Sequence, residues 1–101
     1  MIVVTSRIRI TSGNADAVAD RYQRRSRAAE TLPGCLGVEV LRHLERPDEF
    51  VVVMRRADES AYATYRRHPA FREAHARIGA IPGRLWISPD ERAVDQFEVL
   101  S

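Results

Sequence analysis

Two β-branched runs, "CLGVEVLRHL" and "EFVVVMRR", occupy residues 35–44 and 49–56 and are joined by the turn composition "ERPDE". Val, Leu and Phe at this density favour extended backbone, and so short a connection forces the runs side by side and antiparallel. A central hairpin restricts every other element to what can pair with its edges or cover its faces. Phe50, Val52 and Met54 alternate with Val51 and Val53, so both faces of the hairpin carry apolar side chains.

Residues 2–10 repeat the alternation, with Ile2, Val4, Ser6, Ile8 and Ile10 on one face and Val3, Thr5, Arg7 and Arg9 on the other, which predicts a half-buried strand. "TSGN" turns the chain, and Ser12 or Asn14 can cap the helix predicted from Ala15. Small and apolar positions keep helical spacing through Ala29, and Pro33 in "TLPG" forbids continuation. Asp58 or Ser60 opens a second helix that carries Tyr62 and Tyr65. His68-Pro69 interrupts it, with Pro69 suited to the first position of a fresh helix. "IPGRLWISPDER" reads as loop and "AVDQFEVLS" as a closing strand.

The order is β-α-β-β-α-β, a ferredoxin-like α+β unit, and the 101 residues form a single domain. Helices on one face of such a sheet leave the other face bare. Its apolar content predicts a second copy as cover, a homodimer closing into an α+β barrel.

Charge argues against nucleic acid: the net charge is +2, and the 16 basic residues, all arginine, are dispersed among 14 acids. Cys35 stands alone, which precludes an internal disulfide or thiolate cluster and suits a cytoplasmic protein. No apolar run has membrane-spanning length.

Within "PAFREAHARI", Phe71, Ala74, His75 and Ile78 form one helical stripe, and an imidazole interrupts it. A lone histidine in such a place is usually a hydrogen-bonded core residue; as a functional group it offers a nitrogen to a metal or haem iron, or acts as acid or base. Ser6 puts a hydroxyl among aliphatics, either bonded to local backbone or donating from a pocket wall. Tyr62 and Tyr65 read as core filler or pocket lining, and Trp86 as a lid or as loop packing. His43 and His68 suit capping roles, and Arg55 and Arg56, at a strand end, are expected in solvent.

The segments "SRIRITSGNA", "DRYQRRSRAAETLPGCLGVEVL", "FVVVMRRADESAYATY" and "HPAFREAHARI" resemble successive blocks of the antibiotic-biosynthesis-monooxygenase superfamily of dimeric α+β barrels, nearest its haem-degrading, IsdG-type branch. The "ETLPGCLG" turn and the "AFREAH" helix are the most specific parts. That branch uses an Asn, a Trp and a His. The resemblance assigns the histidine, the proximal haem ligand, to His75, the tryptophan position to Tyr65 and the asparagine position, within "SRI", to Ser6.

On this likeness the chain is a monooxygenase that binds haem or another planar aromatic molecule and uses O₂ with an external electron donor. His75 is the iron ligand, Ser6 and Tyr65 complete the catalytic set, and Tyr62, Phe71 and Trp86 bind substrate. The superfamily's cofactor-independent branch, which oxidises phenolic polyketides in antibiotic biosynthesis, often has Trp in a "WES" segment. Here that segment is "RAD" with Arg56 at the tryptophan position, although Tyr62 falls where that branch can hold a tyrosine. Non-catalytic ligand-binding modules and cyclases share the fold.

Overall fold

The computed structural model describes residues 1–10, 13–25, 27–69, 71–73, 84–86 and 94–101. Strand β1 (Ile2–Ile10) is followed by helix α1 (Ala15–Gln23), a 3₁₀ turn (Ala28–Thr31), the hairpin β2 (Cys35–Arg42) and β3 (Glu49–Arg56), helix α2 (Glu59–Arg67), and strands β4 (Arg84–Trp86) and β5 (Val94–Glu98). The sheet runs β2-β3-β1, and β4 and β5 share the lane on the far side of β1. All pairs are antiparallel. This is the ferredoxin-like arrangement that the element order predicts.

Registered residues share a face, so the β1 alternation fixes the sheet's two sides. Ile2, Val4, Ile8 and Ile10 are buried on the side that the helices cover. Two apolar clusters lie along it: Ile8, Ile10 and Phe50 with Val18 and Tyr22 of α1, and Ile2 and Val4 with Tyr62 and Tyr65 of α2. Ser6 sits between them, opposite Val52 on β3 and Val94 on β5. On the other side Val53 is buried, whereas Phe97 is 53% and Leu41 46% exposed.

Gly34 fastens the α2 end of this layout. Its φ of +81° belongs to the left-handed region, and a Cβ there would stand 2.5 Å from the Ala61 Cβ of α2. The Ala57 amide donates to its carbonyl at 2.8 Å, which ties the end of β3 to the same turn. Helix α2 begins as the sequence indicates, with the Asp58 carboxylate accepting the Ala61 amide at 2.8 Å.

Three expectations need correction. Helix α1 stops at Gln23 rather than continuing towards Pro33. Arg25 instead turns inward, pairing with Glu30 and donating to the Val38 carbonyl at 3.2 Å, so a contact with β2 overrides local helical spacing. The supposed loop at 81–92 contains β4, whose three residues pair with Ile8, Arg9 and Ile10; a run this short shows no alternation. Arg56, expected in solvent, is fully buried.

Candidate functional site

Asp58 sets the first turn of α2, which puts Tyr62 and Tyr65 on the helix face directed at Ile2 and Val4. Tyr62 is 8% and Tyr65 2% exposed. Their ring centroids lie 6.5 Å apart, and Tyr65 meets Phe71 edge-on at 5.3 Å and 86°. Leu32, Met54 and Phe71 pack around the group. The result is an aromatic block on the end of the sheet that α2 covers.

Arg56 lies beneath this block. Its guanidinium carbon is 4.4 Å from the Tyr65 ring centroid, a cation–π contact screened from water. Nη2 meets only the Met54 sulfur, at 3.6 Å, and Nε and Nη1 have no hydrogen-bond partner among the described residues. The placement follows from the register. Phe50, Val52, Met54 and Arg56 share one face of β3, and α2 starts three residues later and closes over it. Counting that alternation one step further in the sequence would have found Arg56.

Burial pushes the Tyr65 phenol above its ordinary value of 10.0, with the Arg56 charge opposing and Tyr62 and Cys35 adding to the rise. Near neutrality the phenol therefore keeps its proton and can only donate or accept a hydrogen bond. Ser6 is half-buried between the clusters, and among the described residues its hydroxyl makes no hydrogen bond. Ser6, Tyr62, Tyr65 and Phe71 thus line the helix-covered side of the β1–β3 pair. His75 lies outside the described residues. Trp86 is opposite Ile8 in β4, and only its backbone is described.

The weaker candidates have structural roles. His43 Nδ1 accepts the Glu45 and Arg46 amides at 3.0 and 2.9 Å, closing the β2–β3 turn. His68 caps the end of α2, its amide donating to the Tyr65 carbonyl. An open groove of about 570 Å³ lies between the start of β1, the start of α2 and β5. Asp58, Glu59 and Glu98 line it, and neither Ser6 nor Tyr65 does. Among the described residues no three His, Cys, Asp or Glu side chains converge as metal ligands, and no helix is long and apolar enough to cross a membrane.

Known proteins resemble this chain in sequence and in fold. The family model for antibiotic biosynthesis monooxygenase matches residues 1–77. A heme-degrading monooxygenase of Bacillus thuringiensis subsp. konkukian is 34% identical over 84 residues, covering 81% of this chain and 78% of the relative. The heme-degrading monooxygenase of Bacillus anthracis strain A0248 matches with the same identity and coverage. Among solved structures, a variant of MhuD with two manganese protoporphyrin IX molecules per active site superposes with TM-score 0.76 at 25% identity, covering all of this chain and 96% of that one. A variant of SnoaB, a cofactor-independent oxygenase from Streptomyces nogalater, superposes with TM-score 0.74 at 13% identity, covering 99% and 93%.

Proposed function

The chain belongs to the antibiotic biosynthesis monooxygenase family, and from that premise we propose that it is a haem-binding monooxygenase of the haem-degrading type. The observation that carries this reading is the 34% identity to heme-degrading monooxygenases over 84 residues. The likeness to SnoaB, at 13% identity, concerns the fold alone.

The described side chains are chemically compatible with a flat, mainly apolar ligand. Ile2, Val4, Tyr62, Tyr65 and Phe71 supply aliphatic and aromatic surface, and Arg56 supplies a buried cation with unsatisfied donors. Haem, when bound, supplies the iron and the conjugated ring at which O₂ chemistry takes place. In this reading His75 contributes the imidazole that ligates the iron. Ser6, on β1 between the two apolar clusters, would donate its hydroxyl proton to a ligand oxygen, directly or through one water. Tyr65 holds its phenolic proton, and the aromatic block keeps bulk water away from the reacting edge.

Serine and tyrosine at positions where the haem-degrading branch has asparagine and tryptophan make donation weaker and the wall less bulky. Binding is therefore expected to be retained and the rate or position of ring opening altered. Adding hemin to the purified protein should shift the Soret band, and His75→Ala should abolish the shift. A hemin spectrum identical to that in buffer refutes the reading. Binding without product under O₂ and reductant reduces it to a haem carrier.

The protein acts as a homodimer in the same proposal. Phe97 and Leu41 stand exposed on the sheet side away from the helices, and a second sheet laid against them would remove that apolar surface from water. Light scattering at a mass of one chain, 11.5 kDa, would overturn it.

A further inference from the structure

Arg56 is the one fully buried charged residue among the described side chains, and its surroundings do not balance it. Moving a cation out of water carries a penalty of several kcal/mol that only an anion, or a full set of hydrogen bonds, offsets. Among the described residues neither is present: Nε and Nη1 are unpartnered, and Nη2 has a thioether, a weak acceptor, at 3.6 Å. No described carboxylate forms an ion pair or hydrogen bond with Arg56, and several are engaged elsewhere. Asp58 caps α2, Glu39 pairs with Arg55, and Glu30 pairs with Arg25. The Tyr65 ring lies 4.4 Å from the guanidinium carbon, a contact that uses none of its N–H donors in a hydrogen bond.

We propose that Arg56 is the anchoring site for a carboxylate carried by the planar ligand. The inference rests on the haem reading, in which the propionate groups are that carboxylate. A guanidinium is suited to this role because its N–H groups match two carboxylate oxygens in one plane. Met54 occupies the acceptor position and is only half-buried. It is unbranched and can change rotamer, so the sulfur can give way to an oxygen. The acid-lined groove at the start of α2 is unsuited to the same group, since Asp58, Glu59 and Glu98 would repel it.

The test compares hemin with hemin dimethyl ester, which keeps iron and ring but lacks the negative charges. Soret titrations of the wild type should show hemin bound about ten- to a hundredfold more tightly, the range for hydrogen bonds to charged groups. Arg56→Met should bring the two affinities together, and Arg56→Lys should restore part of the gap. Raising the salt should reduce the gap only slightly, because a buried pair is little screened. Equal affinities in the wild type, or an undiminished gap in Arg56→Met, overturn the anchor while haem binding stands. If neither compound binds the wild type, the haem reading fails and the anchor fails with it. Should Arg56→Met not fold, the wild-type ratio and its salt dependence still decide.

Discussion

Replacing Gly34 by alanine tests how α2 is seated. The left-handed backbone at φ +81° costs an alanine about 1–2 kcal/mol. The new methyl would also stand 2.5 Å from the Ala61 Cβ, inside any tolerated contact, and overpacking of this kind costs about 1–3 kcal/mol. The combined loss is about 2–5 kcal/mol, a large part of the stability of a domain this size. Gly13 is the internal control: its φ is +77° but nothing lies within 4 Å of a Cβ there, so Gly13→Ala should incur the backbone part alone. In chemical denaturation, Gly34→Ala should lose about 1–3 kcal/mol more than Gly13→Ala. Adding Ala61→Gly to Gly34→Ala should recover that excess, less about 1 kcal/mol for a glycine within a helix. Equal losses at the two glycines, or no recovery in the double variant, would refute the claim that Gly34 is the contact seating α2.

Other substitutions bear on titration and on the hairpin. Tyr65 binds its proton more tightly when folded, so its influence is neutral below pH 10.0, the ordinary phenol value, and stability falls as the pH rises above it. Melting temperatures between pH 9 and 11 should thus decline more steeply for the wild type than for Tyr65→Phe. The Arg25 hydrogen bond holds the Glu30 carboxyl below its usual 4.5, a stabilisation present above that value and lost as the pH falls through the lower folded one. Glu30→Gln should accordingly lower the melting point at pH 7, and the difference should close on acidification. His43→Ala removes the acceptor for two turn amides and should cost about 1 kcal/mol in denaturant, because those amides can turn to water. It should also speed hydrogen exchange at Glu45 and Arg46.

The sequence revealed most where one repeat governs many residues. Alternation through β1 and the hairpin placed Ile2, Val4, Ile8 and Phe50 in the core and Ser6 among them, and Asp58 marked the start of α2. It was less informative where a single distant contact decides. Nothing local tells that Arg25 leaves the helical path to reach Val38, or that Arg84–Trp86 finds the free edge of β1. Arg56 departs from expectation for another reason: residue type suggests solvent, whereas strand phase, the stronger constraint, points inward. As for the site, Tyr62, Tyr65, Phe71 and Ser6 do gather on one side of the sheet, and His75 falls outside the described residues.

The division of the core at Ser6 has a mechanical consequence. Each helix grips its own end of β1, and among the described residues the two grips share no buried side chain. Loosening α2 to admit a bulky guest would leave the α1 half folded as a platform, because local opening follows the limits of a cooperative unit. Under the proposed reading, substitutions in the α2 half would then alter ligand entry and retention while the α1 half keeps its packing.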